Sequence, residues 1–239
     1  MTADSCSPRF VVIPSFNEAA RLPRVLGALN AVDLDAEICV VDDASLDKTS
    51  EVAAEHGATV LRHPFNLGYG AALQTGYKYA YQHGAELVLQ MDADGQHKPS
   101  LFPELMRPIL EGEADLVVGS RFLEPTQYKM SRIRTAGRLL FQRFARTCGL
   151  STTDPTSGFQ ALNRAVLELY CRDFFPRDYP DVDVLLVAHR RGLRIAEIPV
   201  EMLPEERAST LHGGLKSFYY VYRLALSLWA GAPKERKDG

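Results

Sequence analysis

The sequence has no uninterrupted apolar run approaching the roughly 18 residues that a membrane-spanning helix requires. Its opening, MTADSCSPRF, has no basic segment followed by an apolar one, so no secretory leader is indicated and a cytoplasmic location is expected. Cysteine is scarce: Cys6, Cys39, Cys148 and Cys171 lie far apart, with no CxxC spacing and no neighbouring His pair. That excludes a zinc finger or a disulfide framework and reads as reduced thiols. Basic charge is not in excess either. With 27 Lys and Arg against 30 Asp and Glu the net charge is −3, which argues against non-specific nucleic-acid binding driven by counterion release. Internal repeats, low-complexity tracts and linkers are also missing.

What is there is a chain of 239 residues, 46% of them apolar, enough for a substantial core. Short β-rich runs alternate with helical ones through the first half, the pattern of parallel βαβ units with helices on both faces of a sheet. Strands are expected at 9–14, 37–42, 58–63, 86–94 and 115–122, and helices at 18–30, 47–56, 72–84 and 100–111. The 86–94 run is apolar until it ends in carboxylates. The second half is less regular, with an Arg-rich helical segment over 131–148, the stretch DPTSGFQALNR (154–164), a helix near 183–191 and a strand over 193–202. A final amphipathic helix follows. We read a single α/β domain over 1–239, with a nucleotide half (about 9–122), an acceptor half (about 123–212) and a C-terminal helix (about 213–230).

The sharpest local signal is DADGQH, Asp92 to His97, at a strand end. Two carboxylates two residues apart, with the Gln96 amide behind them, supply oxygen ligands to a hard divalent cation and leave positions for phosphate oxygens. An isolated pair of this kind is more often a solvated turn closing a sheet. A second acidic pair, Asp42 and Asp43 in VVDDASLDKT, could accept hydrogen bonds from a nucleobase or ribose, while Ser45 or Asp47 is suited to capping the following helix. VIPSFNE brings Pro14, Phe16 and Glu18 to the same rim; Glu18 also suits the first turn of a helix, where it complements the dipole.

Taken in order, IPSFNE, VVDDASLDKT, NLGYGAALQTG, MDADGQHKP, VVGSRF and DPTSGFQALNR resemble the family 2 glycosyltransferases of the GT-A fold, particularly the dolichyl- and polyprenyl-phosphate sugar synthases. The resemblance spans about residues 9 to 202. It implies a Rossmann-like nucleotide-binding sheet, mixed but mainly parallel, and Mg²⁺ or Mn²⁺ as cofactor. It also implies a nucleotide-sugar donor of the UDP-glucose or GDP-mannose type. Pro14, Phe16, Glu18, Val41 and Asp43 would then line the nucleoside pocket. Asp92, Ala93 and Asp94 would face the diphosphate, with Asp92, Asp94 and Gln96 as metal ligands. Arg121 would meet phosphate, a role that suits a planar fork donor; the alternative is a structural ion pair at a strand end.

The acceptor is written less plainly. Inverting transfer to a sugar hydroxyl needs a base, and the corresponding stretch, YPDVDVLLVAHRRG, offers Asp181 in a slot where the family places Glu, with Asp183 nearby. Asp181 is equally suited to capping that helix. A polyprenyl phosphate is already ionised and needs no base. Arg134 and Arg138, four apart on one helix face, could receive it, as could Arg207 and Lys216 in and after the loop LPEERASTLHGG. That loop departs from the family's basic pattern through Glu205 and Glu206. The final helix places Leu215, Phe218, Tyr222, Leu226 and Trp229 on one side, suited to a core or to a peripheral position on a membrane. The readings carried forward are therefore hexose transfer to polyprenyl phosphate, transfer to a saccharide hydroxyl with Asp181 or Asp183 as base, and a non-catalytic nucleotide-sugar binding subunit.

Overall fold

The computed structural model describes residues 8–123, 139, 142, 143 and 145–203. Within them, seven strands form one mixed sheet: β1 (Arg9–Ser15), β2 (Ala36–Asp42), β3 (Thr59–Arg62), β4 (Leu87–Gln90), β5 (Leu116–Ser120), β6 (Gln160–Asn163) and β7 (Ile195–Pro199), in the order β3-β2-β1-β4-β6-β5-β7. The helices are α1 (Leu22–Asn30), α2 (Thr49–Glu55), α3 (Tyr69–Gln82), α4 (Phe102–Leu110), α5 (Arg164–Tyr170) and α6 (Val182–Arg190). No helix among the described residues is long and apolar enough to cross a membrane.

The two-residue period of a strand builds the core in two layers. Phe10 and Val12 of β1 point with Val88, Leu116 and Val118 toward α3, α5 and α6, where they meet Leu73, Tyr77, Val166, Leu167 and Leu185. Val11 and Ile13 point the other way, with Leu87, Leu89 and Val117, onto Leu22, Leu26 and Leu29 of α1 and Phe102 and Leu105 of α4. The apolar residues of α1 fall at the i, i+3, i+4, i+7 spacing of one helix face. Strands buried on both faces read as continuous apolar runs, which is why β1, β2, β4 and β5 were legible.

Two expectations are revised. The strand expected to run to Asp94 ends at Gln90, and residues 92–95 form a turn instead. There the Asp94 carboxylate accepts the Gln96 N–H at 2.9 Å and Gly95 takes φ = 79°, a left-handed conformation that leaves the ladder. The first helix starts at Leu22, so Glu18 precedes it; residues 16–21 are an irregular stretch of bends and turns in which Asn17 has φ = 57°. DPTSGFQALNR contains strand β6, antiparallel to both β4 and β5. Being antiparallel, β6 brings its leading residues Asp154–Phe159 to the rim where β4 ends. Its last residue, Asn163, caps α5 by accepting the Val166 N–H at 3.1 Å.

Sequence order runs outward from β1 through β2 to β3 on one side and to β4 on the other, with β1 and β4 parallel neighbours. This is a topological switch point, and in open α/β sheets ligands bind in the crevice outside the strand ends at such a point.

The loop 176–178 packs onto the start of α3, where Pro176, Arg177 and Asp178 offer their carbonyls. Asp178 O accepts the Gly70 N–H at 3.1 Å and Arg177 O accepts the Ala71 N–H at 2.8 Å. A Cβ on Gly70 would lie 2.1 Å from the Pro176 carbonyl oxygen. Gly70→Ala should therefore destabilise the fold by about 1–3 kcal/mol despite the better helix propensity of alanine, because backbone must move to admit the methyl. Chemical denaturation tests this. A pH effect follows from Asp42, which is fully buried at the end of β2. Burial alone would raise its pKa, but hydrogen bonds from Ser45 and Ser50 outweigh it and hold the carboxyl below the usual range. Its stabilisation is thus present above the ordinary aspartate pKa and lost as pH falls through the lower folded value. The stability difference between wild type and Asp42→Asn should shrink over that acid range, measured by denaturation at a series of pH values.

Candidate functional site

Two loops leave the adjacent ends of β1 and β2 and are sewn to each other. The Asn17 N–H donates to Ser45 Oγ at 2.9 Å, the Leu46 N–H donates to Asn17 Oδ1 at 2.8 Å, and the Glu18 N–H donates to Thr49 Oγ1 at 2.9 Å. Asp47 accepts the Ala19 N–H at 3.2 Å and the Thr49 N–H at 3.0 Å, so it both ties the loops and caps the start of α2. Ser45 serves the loop junction instead. Asp42 accepts the Ser45 N–H at 2.8 Å and the Ser50 hydroxyl, which commits it to the loop structure.

Asp43 is buried, and its carboxylate is filled by the protein: Oδ1 meets His63 Nδ1 at 2.7 Å and accepts the Leu67 N–H at 2.8 Å, while Oδ2 accepts the Gly68 N–H at 2.9 Å. It thus fixes the NLGYG segment ahead of α3. Pro14 and Val41 are buried register partners on β1 and β2 and support the rim from below. Phe16, by contrast, is 45% exposed. Beside it, residues 44–46 and 62–66 line a cleft of about 590 Å³ with Phe65 on its wall. Glu18 pairs with Arg21 at 2.5 Å; burial raises its carboxyl above the usual range, and the charge of Asp94 adds to that rise against Arg21.

The turn after β4 is the centre of the site. Asp92 Oδ1 accepts the Tyr69 hydroxyl at 2.7 Å, and the Asp92 N–H donates to His97 Nδ1 at 3.1 Å. His97 is buried and stacked on Phe159, so it pins the turn to the core. Asp94 accepts both the backbone N–H of Gln96 and its side-chain amide, the latter at 2.5 Å. Gln96 is therefore oriented by Asp94, and its carbonyl oxygen is the atom it could offer a cation. Burial raises the Asp94 carboxyl above the usual range, and the nearby negative charge of Asp92 raises it further. Ala93 between them is buried. Among the described residues no cluster of three or more His, Cys, Asp and Glu surrounds a point. Two converging carboxylates and an amide oxygen fit a hard divalent cation that takes its remaining ligands from a bound diphosphate.

Sequence reasoning missed Gly158, Asp154 and Glu197, which shape this centre. Gly158 lies against the turn: a Cβ there would be 2.9 Å from Asp92 Oδ2 and 3.0 Å from the Tyr69 hydroxyl. Arg121 is held in a bidentate pair with fully buried Asp154, Nε to Oδ2 at 2.6 Å and Nη2 to Oδ1 at 2.8 Å. The ion pair given as its second reading is thus present. Glu197 of β7 accepts the Thr153 N–H at 2.8 Å, the Asp154 N–H at 3.0 Å and the Thr152 hydroxyl at 2.7 Å, locking the 152–154 loop. A lone acid inside the apolar strand IAEIP was the available signal.

Asp181 occupies the position before α6, yet its side chain makes no capping bond. Asp183 does that work: its Oδ1 accepts the Asp181 N–H at 3.0 Å and the Val184 N–H at 2.9 Å. Burial raises the Asp183 carboxyl. Asp181 is near enough to the centre for its charge to act, with that of Asp92, on the Tyr69 hydroxyl, whose pKa burial raises first and well above the usual range. The acceptor candidates Arg134, Arg138, Arg207 and Lys216, and the C-terminal helix, lie outside the described residues.

Residues 10–170 match the model of glycosyl transferase family 2. An undecaprenyl-phosphate mannosyltransferase of Micrococcus luteus is 33% identical over 85% of this chain and 87% of its own length. The UDP-N-acetylglucosamine–dolichyl-phosphate N-acetylglucosaminyltransferase of Methanococcus voltae is 28% identical over 91% and 96%. In structure, glucosyl-3-phosphoglycerate synthase of Mycobacterium tuberculosis in complex with Mn²⁺ and UDP-glucose superposes with a TM-score of 0.69 at 25% identity, over 93% of this chain and 80% of that one. The same enzyme with phosphoglyceric acid gives 0.75 at 24% identity, over 98% and 83%. The sheet, its switch point and the motif series on one rim therefore belong to a GT-A glycosyltransferase: the chain is a member of glycosyl transferase family 2, related to the polyprenyl- and dolichyl-phosphate sugar synthases.

Proposed function

We propose that the enzyme transfers a hexose from a nucleotide-sugar, of the UDP-glucose or GDP-mannose type, to a polyprenyl phosphate with inversion, using Mg²⁺ or Mn²⁺. The observation that carries the donor side is the closeness of Asp92 and Asp94 in the turn after β4, on the same strand-end rim as the cleft at 44–46 and 62–66. The base and ribose would enter that cleft past Phe16 and Phe65. A divalent ion held there supplies neutralisation of the charge that develops on the departing diphosphate. Asp92, Asp94 and the Gln96 carbonyl are the groups that would hold it.

In the transfer, the acceptor oxygen forms a bond to the anomeric carbon while the bond from that carbon to the diphosphate oxygen breaks, and the electron pair leaves with the nucleoside diphosphate. A phosphate monoester oxygen needs no proton removed. Two facts support this acceptor. Asp183, one of the two base candidates, spends its Oδ1 on two backbone N–H groups. Relatives covering most of this chain are named as undecaprenyl- and dolichyl-phosphate sugar transferases. Arg134, Arg138, Arg207 and Lys216 are the proposed partners of the acceptor phosphate. The site would then face a membrane surface from the cytoplasmic side.

The second reading, transfer to a saccharide hydroxyl, is favoured by one observation: Asp181 lies near enough to the Asp92 centre for its charge to act on the Tyr69 hydroxyl. The two separate in one experiment. Wild type and Asp181→Asn are incubated with Mn²⁺, radiolabelled nucleotide-sugars and undecaprenyl or dolichyl phosphate, and label is counted in the organic phase. Lipid-phosphate transfer predicts organic-phase label for wild type and a rate within about tenfold of it for Asp181→Asn, since loss of a general base typically costs ~10²–10⁴. Label that never enters the organic phase with any donor contradicts the proposal.

A further inference from the structure

Behind Asp92 stands a line of uncharged polar groups running through the core from α3 to the rim. The Tyr77 hydroxyl, fully buried, donates to Gln90 Oε1. Gln90 Nε2 approaches the Tyr69 oxygen at 3.4 Å, and the Tyr69 hydroxyl donates to Asp92 Oδ1 at 2.7 Å. Gln90 is itself buried and pairs in register with Gln160 of β6.

The direction of this chain is fixed by chemistry. A carboxylate only accepts, so Tyr69 must donate to Asp92 and has only lone pairs left for Gln90. The Gln90 amide therefore turns its nitrogen to Tyr69 and its oxygen to Tyr77. Every proton points toward Asp92, an arrangement in which successive bonds strengthen one another. Gly158 closes the other side of the same group, since a side chain there would strike both Asp92 oxygens and the Tyr69 hydroxyl. The carboxylate is thus gripped through Oδ1, while Oδ2 receives no hydrogen bond among the described residues and has only His97 Nε2 at 3.9 Å. Tyr69 reaches this place because Asp43 holds the Leu67 and Gly68 amides and so sets the start of α3.

We propose that Tyr69, backed by Gln90 and Tyr77, is a positioning residue that orients Asp92 so that Oδ2 faces a divalent cation shared with the donor diphosphate. This rests on the donor-site reading above. Groups that orient a metal ligand commonly matter about 10- to 100-fold in metal affinity when removed.

The test is Mn²⁺ binding rather than turnover. Free Mn²⁺ is followed by electron paramagnetic resonance while the full chain is titrated in the presence of UDP or GDP. This is done for wild type, Tyr69→Phe and Tyr77→Phe, with thermal melts of each protein without metal as a check on folding. Tyr69→Phe should bind Mn²⁺ about tenfold more weakly or worse. Tyr77→Phe, one bond further back, should show a smaller loss in the same direction. Melts that fall while both variants keep wild-type Mn²⁺ affinity would make the chain merely structural and overturn the proposal. If Tyr69→Phe does not fold, Tyr77→Phe decides alone: weakened Mn²⁺ binding supports the chain, and unchanged binding overturns it. Wild type that holds no Mn²⁺ with either nucleotide would overturn the donor-site reading itself, and the role of Tyr69 with it.

Discussion

A buried carboxylate that stays ionised must have its oxygens met by donors, and in this molecule the donors are mainly the backbone N–H groups of loops. Asp42 gathers the loop after β2, Asp43 gathers the segment ahead of α3, and Glu197 gathers residues 152–154. Asp154 takes both the backbone N–H and the guanidinium of Arg121. Each acid therefore converts an irregular segment into a fixed wall of the crevice at the strand ends. Asp92 differs from these: it is partly exposed, one of its oxygens receives no hydrogen bond among the described residues, and it sits at the switch point between β1 and β4.

This division sorts acids that look alike in sequence. Asp42–Asp43 and Asp92–Asp94 are both acidic pairs at strand ends, and spacing alone treats them alike. Burial and hydrogen bonding separate them: the first pair spends its oxygens on the protein, whereas the second raises its own electrostatic cost. Asp94 is pushed above the usual carboxyl range by burial and by Asp92, a cost that a bound cation would relieve.

The sheet was legible because β1, β2, β4 and β5 are apolar on both faces, and most of the rim because IPSFNE, VVDDASLDKT, MDADGQHKP and VVGSRF lie at the ends of those strands. What could not be read was anything carried by long-range pairing. Strand β6 is four residues, QALN, bounded by a helix cap rather than a turn signal, and its antiparallel direction depends on partners far away in the chain. With β6 unseen, the approach of Gly158 to Asp92 and the identity of Asp154 as the partner of Arg121 had no basis. The same holds for Asp183, whose capping role belongs to the start of α6, and for Tyr69, whose reach to Asp92 depends on where α3 starts.

The central claim is that Asp92 and Asp94 hold a cation and the donor diphosphate at the end of β4. Crystals of the protein grown with Mn²⁺ and UDP or GDP, measured for anomalous scattering, test it most directly. The account predicts an anomalous peak about 2.0–2.4 Å from a carboxylate oxygen of Asp92 or Asp94, in the usual range for oxygen ligands of divalent ions, with diphosphate oxygens completing its shell. Ordered nucleotide with its diphosphate and Mn²⁺ away from both carboxylates would contradict it.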